Sequence, residues 1–244
     1  MPGRIRIYEN IKIPVDQDIS STNTTKPYVI LNMVQSADGR AAIEGKASML
    51  GTDFDRSVMR TLRSRAHAVM VGGATIRAEK LSLSLDSEDT RPVPRAVILT
   101  NTGDLPLESN LVLDHRQDVL VLLPDSAEKS AERHLGRFAE TRRVPATESG
   151  AIDVASALEI MKSSYAIDIL LCEGGPSLNQ ALLRANLADE LFVTVAPVLV
   201  GANSSEVPGA FLHDRLGGPR SLRLISSQAV GDELFLRYVV QHRP

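Results

Sequence analysis

Glu173-Gly174-Gly175-Pro176-Ser177-Leu178-Asn179 puts a carboxylate, a glycine pair and a proline directly after the apolar run at residues 167–172. Glycine admits backbone conformations closed to residues with a Cβ, and proline suits the first turn of a helix. The free N–H groups at such a helix start attract an anion, which makes the turn a candidate pyrophosphate seat. A tight strand-to-helix connection with no ligand would read the same way in isolation. A second turn of this kind, Gly72-Gly73-Ala74-Thr75, follows residues 66–71 and adds a hydroxyl for a ribose or phosphate. Asn32, Ser48, Arg63 and Glu173 are the polar groups that the order of elements brings near both turns. Together they suit a dinucleotide bound beside a small polar substrate, with hydride transfer asking mainly for positioning.

Each of these groups also has a plainer reading. Arg63 falls near the end of a predicted helix, where any cation favours the dipole, and Glu173 can serve as a helix-entry carboxylate. Asp38 can serve its own turn. Asn32 is harder to dismiss, because an amide inside a buried strand must find partners.

The elements that position these groups follow from the apolar pattern. Residues 28–34 form a strand leading into the Asp38-Gly39 turn, and residues 53–65 carry Phe54, Val58, Leu62 and Arg65 at helical spacing behind Thr52 or Asp53 as cap. Further strands are expected at 66–71, 95–99, 119–123, 167–172 and from 190 to Pro197, with a short helix after Gly73 and longer ones at 126–140, 155–165 and 177–185. Residues 220–228 and 233–241, joined at Gly231-Asp232, read as a hairpin. The predicted fold class is α/β: a mostly parallel central sheet with an antiparallel C-terminal hairpin and helices on both faces. Residues 1–26 read as an N-terminal extension and 27–244 as a single domain, with surface loops at 82–94 and 204–218.

Composition narrows the function classes. At 244 residues and 43% hydrophobic, the chain can bury a sizeable core. A net charge of −3, 4% aromatic residues and no Trp argue against a nucleic-acid surface. Cys172 is the lone cysteine and reads as a small core residue, and the five histidines have no metal spacing. No metal, no nucleic acid and no membrane partner is therefore expected, and no segment is long and apolar enough for a membrane span, so the default location is cytoplasmic. A Walker lysine motif, a Gly-x-Gly-x-x-Gly at the first strand and a Gly-x-Ser-x-Gly elbow are all missing.

Several stretches taken in order resemble a known family. They are Ser36-Ala37-Asp38-Gly39-Arg40, Leu62-Arg63, Val71-Gly72-Gly73-Ala74-Thr75-Ile76, Glu173-Gly174-Gly175-Pro176-Ser177-Leu178, and Asp189-Glu190-Leu191 through Ala196-Pro197-Val198-Leu199-Val200-Gly201. Residues 27–240 are similar to the pyrimidine reductases of riboflavin biosynthesis, found as the C-terminal domain of a bifunctional deaminase-reductase and as stand-alone archaeal and fungal proteins. The zinc deaminase signature is missing, so the resemblance is to the reductase half alone.

The resemblance implies a dihydrofolate-reductase-like fold, NADPH as cofactor and a homodimer. It implies that NADPH is hydride donor to C1′ of an imine opened from the ribosylamine. Glu173 and Asn32 would be catalytic, and Ser48, Arg63, Asp38 and Leu83 would bind substrate. Gly72, Thr75, Glu79, Thr100 and the stretch Gly174, Gly175, Pro176, Ser177, Leu178 and Asn179 would bind the cofactor. Asp86 stands where the family has the basic residue that holds the substrate phosphate, which leaves Lys80 or Arg91 as substitutes. The alternatives that the residues leave open are a dihydrofolate or pterin reductase of the same fold and a nucleotide-binding protein without turnover.

Overall fold

A computed structural model describes residues 25–79, 81–106, 116–201, 212 and 216–242. Most of the expected N-terminal extension, Lys80 and most of the 204–218 loop lie outside the described residues. Among the described residues, nine strands form one sheet: β1 (Tyr28–Ser36), β2 (Ala68–Gly72), β3 (Arg95–Leu99), β4 (Val119–Pro124), β5 (Glu140–Val144), β6 (Ile169–Cys172), β7 (Glu190–Ala196), β8 (Leu222–Val230) and β9 (Glu233–Val240). Their spatial order is β5-β4-β3-β2-β6-β1-β7-β9-β8. All neighbours from β5 to β7 are parallel, while β9 runs antiparallel to β7 and to β8. The expected α/β class, with its C-terminal hairpin, is what the chain adopts.

Alternate residues of the central strands feed two cores, as a pleated strand requires. Val29, Leu31, Met70 and Cys172 pack on one face beneath α4 (Val154–Tyr165) and α5 (Pro176–Arg184). Ile30, Val69, Val71, Leu171 and Phe192 pack on the other, beneath α1 (Asp53–Arg63), α2 (Gly73–Ala78) and α3 (Lys129–Leu135). Among the described residues, no helix is long and apolar enough to cross a membrane.

Local chemistry sets the helix that matters most for the site. Thr52 caps α1 by accepting from Asp55 N at 3.3 Å, Asp53 and Asp55 meet the positive end of the dipole, and Arg60 and Arg63 meet the negative end. Val58 and Leu62, four residues apart, bury its inner face.

One expected element was drawn too long. The helix expected at 126–140 spans only Lys129–Leu135, because the chain turns at Gly136, whose N–H closes on Glu132 O at 2.9 Å. The residues beyond it form β5, an edge strand in which Glu140 and Arg142 are exposed and whose apolar content is too low to read as a strand.

Candidate active site

β1, β6 and β2 are neighbours in register, with Leu31 opposite Cys172 and Cys172 opposite Met70. Glu173 and Gly72 therefore emerge together at the carboxyl ends of β6 and β2, beside Asn32, which follows Leu31 midway along β1, and open α/β sheets bind ligands at this end. The two glycine turns touch there: Gly72 N donates to Gly174 O at 2.8 Å, and Glu173 N donates to Met70 O at 2.9 Å. A cavity of about 240 Å³ opens beside them, walled by α1, the start of α2 and the chain around Ser48.

Arg63 and Glu173 meet across that cavity. Arg63 Nε donates to Glu173 Oε1 and Nη2 to Oε2, each at 2.7 Å, a bidentate pair whose side chains are 5% and 9% exposed. Arg63 Nη1 also donates to Ser82 O and Ser84 O, which ties the following loop to the site. The plainer reading of Arg63 as a solvated helix-end cation does not hold, since burial requires the partners it has found.

Ser48 and Asn32 both line the cavity. Ser48 is exposed, and its loop is held by Glu79, whose carboxylate accepts from Ala47 N at 2.9 Å and Ser48 N at 3.3 Å. Glu79, expected at the cofactor, has its charge engaged in shaping the substrate side. Asn32 is half-buried and faces the cavity, with no described residue hydrogen-bonded to its amide.

The glycine turns are packed to the limit. A Cβ on Gly175 would stand 2.8 Å from Thr75 Oγ1, and one on Gly73 would stand 2.9 Å from Thr100 Cβ. Gly174 holds a φ of +87°, which a side chain would strain. Gly175, Pro176, Ser177 and Thr75 retain exposed surface at the start of α5 and beside it, so main-chain N–H groups and a hydroxyl are open to an anionic ligand.

Other residues expected at the ligands are buried in this structure. Thr100 is 5% exposed, and its hydroxyl accepts from Gly103 N at 3.1 Å. Asn179 is fully buried and Leu178 nearly so, the former beside Cys172 Sγ and the latter in the core under α5. Burial pushes the Cys172 thiol up to about 12, as befits a core residue. Leu83 is also sealed in the core, and its neighbours Leu81 and Ser82 line the cavity instead.

Asp38 is not among the residues that line the cavity. Its carboxylate accepts from Ser36 Oγ and from the amides of Val200 and Gly201, which holds it down at about 2 and pins the chain after β7 to the β1 turn. On the phosphate side, Asp86 pairs with Arg60 at 3.0 Å, and Arg91 is taken up by Asp89.

Asp55 and Gly51 have no role in the sequence pattern described above. Both line the cavity. The signal available was a carboxylate in the first turn of α1, which capping alone explains. A second, more open depression of about 440 Å³ lies near Arg95, Gln117 and Glu140, at the amino ends of β3 and β4. That is the end of a parallel sheet opposite to its ligand crevice.

Residues 27–236 match the family described as RibD C-terminal domain. The chain belongs to this family. RibD-family relatives include the 2,5-diamino-6-ribosylamino-4(3H)-pyrimidinone 5′-phosphate reductase of Methanothermobacter thermautotrophicus, 26% identical over 220 residues that span 88% of this chain and 99% of that one. The riboflavin biosynthesis protein RibD of Actinobacillus pleuropneumoniae is 26% identical over 222 residues, 89% of this chain but only 58% of its own length. The RibD C-terminal fold is shared with a pyrimidine reductase-like protein of Corynebacterium diphtheriae, at a TM-score of 0.74 and 20% identity over 89% of this chain and 93% of that one.

Proposed function

We propose that the protein is an NADPH-dependent reductase that converts 2,5-diamino-6-ribosylamino-4(3H)-pyrimidinone 5′-phosphate, or a close analogue, to its ribitylamino product in riboflavin biosynthesis. The observation that carries this reading is the joining of two glycine turns at one end of a cavity whose walls hold Asn32, Ser48, Arg63 and Glu173. Relatives named for that reaction, matched over nearly their whole length, support it.

The residues fit a dinucleotide. Gly175 leaves beside Thr75, and Gly174 beside Met33, the room that a side chain would fill, and the N–H groups at the start of α5 suit a pyrophosphate. When bound there, NADPH supplies a hydride to C1′ of the imine formed when the ribosylamine opens. Asn32 offers an amide donor and acceptor to the substrate, and Ser48 offers a hydroxyl held in place through Glu79. Glu173 keeps the Arg63 guanidinium flat against the cavity wall, which orients the substrate without spending either charge on solvent. A proton from water on the imine nitrogen completes the amine.

A pterin reductase of the same fold is the second reading, and the cavity carboxylate Asp55 favours it. A homodimer is part of the first reading. It is supported by the outer hairpin, where Leu222, Leu224 and Ile225 are exposed on the edge strand β8, which has no further neighbour among the described residues, and Leu234 is exposed on β9 beside it.

The test offers the purified protein NADPH with the ribosylaminopyrimidinone phosphate or with dihydrofolate, and follows loss of reduced-nicotinamide absorbance. Turnover of the pyrimidine alone upholds the proposal. Turnover of dihydrofolate alone replaces it with the pterin reading, and turnover of neither overturns both.

A further inference from the structure

The depression of about 440 Å³ at the amino ends of β3 and β4 shares no lining residue with the cavity that holds Glu173. Gln117 lines it and is 6% exposed. Its Nε2 donates to Pro94 O at 2.9 Å, and that bond fixes the amide, because the opposite flip would set two oxygens against each other. Oε1 is left buried with no donor among the described residues. Buried amide oxygens are nearly always met, so an unmet one in the wall of a depression calls for a donor from outside the chain.

The charges around Gln117 are balanced but loosely held. Arg95 Nη1 donates to Glu140 Oε2 at 3.4 Å and Nη2 to Asp118 Oδ2 at 3.5 Å, both at the outer edge of a hydrogen bond, and the guanidinium lies 5.0 Å over the Tyr165 ring. Tyr165 in turn donates to Glu140 Oε1 at 2.7 Å, which keeps that carboxylate beside the arginine. Arg137 also lines the depression, exposed and with no hydrogen bond or ion pair among the described residues. Phe138 next to it is half-buried and adds apolar surface. The volume suits a small organic molecule and exceeds what a single ion needs.

We propose that this depression is a second ligand site, separate from the reductase cavity, and that it takes a nucleoside monophosphate whose base carries an amino group. An exocyclic N–H of the base donates to Gln117 Oε1 while the ring lies against Phe138. The phosphate pairs with Arg137, whose planar fork of donors matches two phosphate oxygens at once. Asp118 and Glu140 are acceptors only and suit the ribose hydroxyls. A base without a donor leaves Oε1 unmet and binds more weakly for that reason.

The test is isothermal titration calorimetry of the full chain with four probes: AMP, purine riboside 5′-monophosphate, adenosine and inorganic phosphate. The wild type is expected to bind AMP at least about tenfold more tightly than purine riboside 5′-monophosphate, which lacks the amino group, and than adenosine, which lacks the phosphate. Gln117→Leu should erase the first preference and Arg137→Ala the second. Arg137 is exposed, so its variant is expected to fold as the wild type does, and a melting curve for each variant excludes loss of fold as the cause.

The glycine turns of the reductase cavity are the competing seat for AMP, and Gly175→Ala separates the two. That variant should keep an AMP affinity within about twofold of the wild type. AMP affinity that falls in Gly175→Ala and is indifferent to Gln117→Leu and Arg137→Ala places the nucleotide at those turns and overturns the inference. A wild type that does not bind AMP overturns it as well, and inorganic phosphate bound as tightly as AMP reduces the site to one for simple anions.

Discussion

Arg63 and Glu173, 110 residues apart in the chain, close a buried bidentate pair with both contacts at 2.7 Å. The pair joins the end of α1 to the turn between β6 and α5, so one interaction couples the substrate wall to the expected cofactor turn. Removing one partner of such a pair strands a buried charge, which costs about 3–5 kcal/mol. Arg63→Ala is expected to lower the melting temperature by roughly 10 °C at this chain length. Glu173→Gln keeps a carbonyl acceptor for Arg63 and is expected to fold. Its NADPH affinity, read by fluorescence titration, should stay near that of the wild type while turnover falls at least about tenfold. Wild-type turnover in Glu173→Gln would remove the pair from the mechanism.

The ionisation of Asp55 carries a stability prediction with a definite sign. Burial raises its pKa in the folded state, so the native protein holds a proton that the unfolded chain has already lost, and stability falls as pH rises through the raised value. Asp55→Asn removes that penalty while its amide oxygen still accepts from Thr194. The variant is expected to melt higher than the wild type at pH 8, with the advantage fading as the pH is brought down to 4. An equal shift at both values would mean that ionisation is not its source.

Gly175 is confined by Thr75, with room for no side chain: a Cβ would lie 2.8 Å from the hydroxyl oxygen. Gly175→Ala is expected to weaken NADPH binding by about tenfold, equivalent to ~1.4 kcal/mol. Thr75→Ala in the same background relieves the contact and should restore part of the loss if crowding alone is responsible.

Among the described residues, Arg60 is engaged by Asp86 and Arg91 by Asp89, so neither offers an unpaired charge to a substrate phosphate. The dephosphorylated ribosylaminopyrimidinone is therefore expected to be reduced with a KM within about threefold of its phosphate ester, a difference of less than ~1 kcal/mol. A KM more than tenfold higher would locate a phosphate site outside these pairs.

The outer hairpin provides the last prediction. Leu224 is 51% exposed in β8, an edge strand with exposed apolar neighbours. Leu224→Lys should shift the protein from dimer to monomer in light scattering, and a wild type that is already monomeric would remove the homodimer from the proposal.

Much of the fold was legible because local rules dominate it. Uninterrupted apolar runs such as Val119–Pro124 can only be strands buried on both faces, and Thr52 and Pro176 mark helix starts through capping and a fixed φ. β5 escaped notice because an edge strand needs few apolar residues. Its Glu140 and Arg142 belong equally well to the solvated face of a helix, and pairing with β4 decides the matter.

The sequence by itself determined the order of strands and helices, the pair of glycine turns and the set of polar residues available to a site, all of which rest on interactions between near neighbours. Tertiary structure alone decided how those residues divide their work. Glu79, Glu173 and Asp55 are equivalent as letters. One holds the Ser48 loop, one pairs with Arg63, and one is pushed up in pKa by burial. The reason is physical: the charge, burial and partners of a side chain are summed over groups that only the folded sheet brings together.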